Sequence, residues 1–204
     1  MKKQIANFAL SLGAFGAVAT ASAQIVITST NDPALNGAGL IDFSSATIGS
    51  YSSLVIDGVT ITAPGNTVRV QNTYSGDYNT TGNYLDNNAG SASTIDFTFD
   101  SPQVVFGFNY GALDDQWTLN VYDSDNNLID ATTVEPNHGS NAGEFIGIAS
   151  SSANIAWASF TDSSSGDWIL LDNLRFTPTE VPEPSTLALA GLGGLGLLLF
   201  RRRK

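Results

Sequence analysis

The chain has 204 residues with no cysteine and one histidine, and 19 acidic against 8 basic side chains give a net charge of −11. The absence of thiols excludes disulfide staples, zinc–thiolate sites and cysteine nucleophiles, and a single histidine leaves no imidazole set for a transition metal. Gln24 to Glu180 retains only Arg69 and Arg175 against 18 acidic residues, net −16; that charge disfavours nucleic acid and anionic lipid surfaces as partners and suits cation binding or solubility outside the cell.

The N-terminus carries Lys2 and Lys3, an apolar stretch from Ile5 to Val18, and Ala21-Ser22-Ala23. A cationic head, an apolar middle and a small-residue cleavage site form a secretory signal peptide over residues 1–23, a signal helix that leaves Gln24 as the first mature residue.

From there, short runs of Val, Ile, Phe, Tyr and Thr alternate with Gly, Asn, Asp and Ser clusters, without helical periodicity. This is an all-β pattern. Strands are expected near 25–29, 54–63, 67–71, 94–100, 103–110, 116–123, 128–134, 143–149, 154–160 and 168–176. That number of strands predicts a two-sheet, jelly-roll-like sandwich domain over residues 24–176. Ile95, Phe97 and Phe99 alternate with Thr94, Asp96 and Thr98, giving one apolar and one wet face. Asp100-Ser101-Pro102 then turns the chain, and Val104, Phe106, Phe108 and Tyr110 continue the core with Trp117, Leu119, Val121, Leu174 and Phe176. Gln71 to Ala92, rich in Asn, Gly and Thr with three tyrosines, reads as a long loop holding one short strand at Tyr84-Leu85; loops of this length are often functional.

The order of Leu40-Ile41-Asp42-Phe43, Asp57-Gly58-Val59-Thr60-Ile61, Phe106-Gly107-Phe108-Asn109-Tyr110, Leu119-Asn120-Val121-Tyr122-Asp123 and Leu171-Asp172-Asn173-Leu174-Arg175-Phe176 resembles the jelly-roll, galactose-binding-like domains of exported bacterial proteins. The resemblance implies sugar binding and a structural Ca²⁺, and maps neither onto particular residues.

Four constellations bear on chemistry. Tyr110, Asp114, Asp115 and Trp117 put two carboxylates and two aromatics near one sandwich end, as candidate ligand-binding residues with a sugar-stacking role for the rings. Neighbouring carboxylates on one loop diverge, unlike the opposed pair a glycosidase needs. Asp123 and Asp125 begin the D-x-D-x-N order of a calcium loop, and with Asp172 are the candidate metal ligands. Leu128 stands where that loop requires Gly and Val134 where it requires Glu, so a polar hairpin is the competing reading. His138 lies in a turn composition with no G-x-S-x-G elbow, which argues against a Ser-His-Asp triad. Asn79-Thr80-Thr81 is a glycosylation sequon by letters and an ordinary polar loop in bacterial context.

After a linker at 177–180, residues 181–204 read VPEPSTLALAGLGGLGLLLFRRRK. Residues 187–200 form an apolar transmembrane helix of about 21 Å, short of the roughly 30 Å hydrocarbon core and stopped by Arg201, Arg202, Arg203 and Lys204. Pro182 and Pro184 keep the preceding segment extended and exposed. The proline–glutamate–proline element, apolar run and terminal cations together resemble the PEP-CTERM sorting signal of Gram-negative bacteria. That resemblance implies recognition of Pro182, Glu183 and Pro184 by an exosortase, a membrane-embedded transpeptidase. It further implies a transient inner-membrane anchor and release to the cell surface or medium. The expectation is a non-catalytic, exported surface or extracellular-matrix protein that contributes to the matrix or binds polysaccharide; the rivals are a secreted carbohydrate-active enzyme using Asp114 or Asp115 and a purely structural matrix protein.

Overall fold

Alternating β-branched and aromatic residues build strands that bury one face each, and strands of this kind account for nearly all regular structure among the described residues. The structure is a computed structural model that describes residues 24–137, 141, 143–151, 154–162, 164 and 166–178. The signal segment, the sorting tail with Pro182, Glu183, Pro184 and the terminal cations, and His138 lie outside the described residues.

The elements are β1 (Gln24–Ile27), a 3₁₀ turn at Pro33–Leu35, β2 (Gly39–Ile41), β3 (Gly49–Tyr51), β4 (Ser53–Ile56), β5 (Val59–Thr62) and β6 (Val68–Gln71). They continue with β7 (Tyr84–Asp86), β8 (Thr94–Gly111), β9 (Trp117–Tyr122), β10 (Leu128–Val134), β11 (Phe145–Ser150), β12 (Ile155–Asp162) and β13 (Leu170–Pro178). The fold is all-β, as the sequence pattern predicts.

The 18-residue strand β8 organises the two layers. Its first half pairs with β5 and β12, giving a layer ordered β4-β5-β8-β12-β9-β10. Its second half pairs with β11 and β13, giving a layer ordered β1-β11-β8-β13; along the free edge of β13, β7 pairs with its first residues and leads on to β6 and β3, and β2 pairs further along. Asp100-Ser101-Pro102 therefore does not end a strand. Gln103 pairs with both Ile155 and Pro178, so ladders on both sides carry the chain through the bend, with register shifts beside it in β12 and β13. Proline fits here because a corner needs bending more than it needs the missing N–H.

Folding β8 over itself brings its own rings face to face. Phe97 lies 5.0 Å from Phe106 and 5.6 Å from Phe108, and Phe99 lies 5.1 Å from Phe106. Phe160 of β12 joins at 5.1 Å from Phe108 and 4.9 Å from Trp117. The expected core residues are buried, except that Tyr110 is half-buried and Val104 turns outward. Val104 packs instead on a smaller cluster of Ile27, Leu35, Val105, Phe145 and Ala149 beneath β1 and the 3₁₀ turn.

The strand expected over 54–63 is two strands. Asp57 and Gly58 have φ of 44° and 85°, the left-handed pair of a type I′ hairpin turn. Leu54, Ile56, Val59 and Ile61 all face the core, so the apolar pattern runs across the turn and hides it. The strand at Tyr84-Leu85 does form, and it is held by β6 on one side and β13 on the other.

Candidate ligand-binding site

The strand β8 ends at Gly111, and the chain reverses through Ala112, whose φ is 63°. Leu113 is buried and its N–H donates to Asn137 Oδ1 at 3.0 Å, while Asn137 N–H returns to the Leu113 carbonyl at 3.0 Å. This places Asp114, Asp115 and Trp117 around a residue that sequence reasoning missed. Asp167, 5 % exposed, accepts from Asp114 N–H at 3.0 Å, Asp115 N–H at 3.2 Å and the Trp117 indole N–H at 2.7 Å. The two predicted acids thus enter through their backbone, with their carboxylates exposed; Asp115 Oδ2 accepts from Ser164 Oγ at 2.6 Å.

Trp117 corrects the sequence reading. It is 0 % exposed and rests on Phe160, so its ring offers no face to a sugar. Its phase with Leu119 and Val121 commits it to the core. Tyr110 is nearer to solvent, with its hydroxyl pKa raised by burial and, less strongly, by the Glu144 carboxylate.

The aromatic surface at this end comes from the long loop. Between β6 and β7 the backbone folds on itself: Asp77 N–H donates to Tyr74 O at 2.9 Å, Thr80 N–H to Asp77 O at 3.0 Å, and Gly76 N–H to Thr80 O at 2.9 Å. Tyr78 and Asn79 both sit in the left-handed region, at φ 52° and 59°. Two such non-glycine residues in succession cost roughly 1–2 kcal/mol each and persist only where their surroundings dictate them. The surroundings are explicit. The Asn79 side-chain amide donates to the Tyr110 carbonyl at 2.9 Å and to Glu144, and its Oδ1 accepts from Gly143 N–H at 2.7 Å. The Asn79 N–H donates to Asn141 Oδ1 at 3.0 Å. Tyr78 backbone lies on Gly111, where a Cβ would come within 2.1 Å of the Tyr78 carbonyl oxygen, so only glycine fits. The Asn79-Thr80-Thr81 triplet is thereby a structural brace.

This bracing presents three half-buried rings together. Tyr74 meets Trp168 edge-on at 5.2 Å and Tyr78 edge-on at 5.7 Å. Trp168 directly follows Asp167, so the carboxylate hub also fixes the ring beside it. Its indole Nε1 is buried without a hydrogen-bond partner among the described residues. Tyr74 and Tyr78 were legible only as tyrosines of a long loop, and Trp168 carried no alternation to mark its role.

Asp172 anchors the other side of the same loop. It is fully buried, accepts from Thr81 N–H at 2.8 Å and Asn173 N–H at 2.7 Å, and burial pushes its pKa up to about 6. Folding therefore favours the protonated carboxyl: its stabilising contribution is complete below the unfolded value of 3.8 and is lost as pH rises through about 6. The difference amounts to about 3 kcal/mol. Asp96, raised mainly by burial, has the same sign. Asp42 and Asp123, lowered chiefly by side-chain hydrogen bonds from Ser44 and Asn127, have the opposite sign, and their contribution is lost as pH falls below the usual carboxylate range. Thermal melts should accordingly show wild-type stability falling between about pH 4 and 6.5, with the slope largely flattened in Asp172→Asn. An unchanged slope in that variant contradicts the assignment.

The candidate metal ligands do not converge. Asp123 caps the β9–β10 hairpin, accepting from Asp125 N–H, Asn127 N–H and Asn127 Nδ2, each at 2.9 Å, and Asp125 is exposed. Asp172 belongs to the other layer. Among the described residues no group of three or more histidine, aspartate or glutamate side chains is placed to hold a cation.

No curated protein matches the chain. Among solved structures, a family 61 carbohydrate-binding module in complex with β-1,4-galactotriose is 16 % identical with a TM-score of 0.40, covering 59 % of this chain and 88 % of its own. The K2 cleaved adhesin domain of Lys-gingipain is 17 % identical, TM-score 0.32, covering 70 % of this chain and 98 % of its own. A mutant of a family 29 carbohydrate-binding module is 14 % identical, TM-score 0.31, covering 76 % and 90 %. The profile of the PEP-CTERM protein-sorting motif matches residues 180–204. The chain is thus an all-β domain followed by a PEP-CTERM sorting motif, the address of an exported protein.

Proposed function

We propose that the signal segment and the sorting tail are removed in turn, that an exosortase acts at Pro182, Glu183 and Pro184, and that the acidic domain works at the Gram-negative cell surface or in the extracellular matrix. There it binds polysaccharide without catalysis. The observation that carries the binding role is the aromatic cluster of Tyr74 and Tyr78, on the β6–β7 loop braced by Asn79, with Trp168 from the segment before β13. Rings preset at one end of a sandwich suit a sugar's apolar C–H face. The acidic pair Asp114 and Asp115 serves this site by donating its backbone N–H groups to the Asp167 carboxylate.

The test has two arms. Alanines at Pro182, Glu183 and Pro184 should leave the uncut form in the inner membrane, and unchanged processing would overturn the sorting claim. The exported protein should bind at least one glycan saturably and degrade none, whether wild type or carrying Asp114→Asn or Asp115→Asn. Degradation by the wild type that the Asn variants lose would establish the enzyme instead.

A further inference from the structure

The layer β4-β5-β8-β12-β9-β10 has an outer face remote from the Asp167 end-site cluster in its chemistry. Pairing register puts Val55, Thr60, Thr98, Trp157, Tyr122 and Leu128 in one row across the strands. The next row runs Thr62, Asp96, Ser159 and Asn120. A wet strand face ordinarily carries scattered polar groups, yet this one carries a built aromatic wall. Trp157 and Tyr122 stack at 3.9 Å with planes 9° apart, so both rings stand upright on the sheet. The Trp157 indole N–H donates to Asn126 Oδ1 at 3.0 Å, which fixes the ring; Asn126 is itself set by the left-handed turn at φ 64°.

Tyr122 covers one face of the indole, and the other is turned toward Thr98 on β8. Val55, 69 % exposed, stands three strands away on β4, about 14 Å at ordinary strand spacing. Between these two side chains the outward positions are Thr60, Thr62, Thr98, Asp96 and Asp100, hydroxyls with two carboxylates on β8. Ser159 stands opposite Asp96 in register and lies 3.0 Å from the Thr161 hydroxyl. None of the six strands contains lysine or arginine, and both basic residues of the domain, Arg69 and Arg175, belong to the other layer.

Charge complementarity selects the occupant. The Asp96 carboxylate on the face that carries the Trp157 indole, with the exposed Asp100 two residues beyond Thr98 on the same side of β8 and a domain of net charge −16, favours a cation and repels acidic sugars. The rows of hydroxyls match a sugar chain, and an outward sheet face leaves room for an extended one. We propose that this outer face binds a polysaccharide bearing free amino groups, a polyhexosamine, with an ammonium group at Asp96 and a pyranose ring against Trp157. This site is separate from the Tyr74–Tyr78–Trp168 cluster, and either can be present without the other.

The test titrates the exported protein with glucosamine hexamer, N-acetylglucosamine hexamer and an alginate oligomer. Glucosamine hexamer should bind, more weakly as salt rises, and affinity should fall about tenfold or more in Asp96→Asn and in Trp157→Ala. Tyr78→Ala should leave it unchanged, which separates this face from the end site. Asp96→Asn is nearly isosteric, so an unchanged melting temperature shows that its loss of binding is not loss of fold. The proposal is overturned if glucosamine hexamer does not bind, if its N-acetylated counterpart binds as tightly, or if Asp96→Asn binds as the wild type does.

Discussion

Asp167→Ala is expected to remove about 3–6 kcal/mol of folding stability, the largest effect of any single change at the candidate site. The buried carboxylate is the acceptor for Asp114 N–H, Asp115 N–H and the Trp117 indole N–H. Deleting it strands three donors, each costing about 1–3 kcal/mol when left unsatisfied. Domains of this kind hold only about 5–15 kcal/mol in total, so the variant stands close to its unfolding limit. Asp167→Asn retains one acceptor oxygen and should lose less. Trp117→Phe removes a donor together with its need for a partner, and its loss should lie below that of Asp167→Ala. Urea unfolding reads this out as a midpoint shift at constant slope. A loss below about 1 kcal/mol for Asp167→Ala would show that the hub is dispensable.

Arg69→Ala is expected to cost about 3–5 kcal/mol. Asp86 is 0 % exposed and its carboxylate is met by Arg69 Nη2 at 2.8 Å, Arg69 Nε at 3.2 Å, Asn88 N–H at 2.8 Å and Gln71 Nε2. Removing the guanidinium leaves an uncompensated buried charge, which costs more than the ion pair contributes. The double variant Arg69→Ala with Asp86→Ala should therefore be less destabilised than the two single losses added together. Lysine is a poor substitute, because a single ammonium cannot reproduce the forked contact. Arg69 lies on β6 and Asp86 on β7, the two strands from which the aromatic loop springs, so glycan affinity should fall along with stability. Additive losses in the cycle would remove the pair from the account of how that loop is supported.

Much of the fold was legible because strand alternation is a local property. The phase of Trp117, Leu119 and Val121 marks the core side of β9, and the same phase shows why Trp117 cannot serve a ligand. Where two strands share an uninterrupted apolar pattern, as in Leu54 to Ile61, only the Asp57-Gly58 dipeptide reveals the turn. Asp100-Ser101-Pro102 has turn composition and yet sits inside β8, because ladders on both flanks carry it through. The candidate site was legible as a region and not as residues. Asp114 and Asp115 mark the right end of the sandwich, but the rings that face solvent there are Tyr74, Tyr78 and Trp168. Their placement depends on Asn79 reaching Tyr110 and Glu144 and on Tyr78 resting against Gly111, contacts between segments distant in sequence. Spacing along the chain carries no trace of them.

The central claim is that the braced aromatic loop binds sugar, and equilibrium titration of the exported protein on a glycan array tests it most directly. The account predicts saturable binding of at least one polysaccharide by the wild type, lost in Tyr78→Ala and Trp168→Ala variants that retain wild-type thermal stability. Absence of saturable binding, or affinity unchanged in both stable variants, would contradict it.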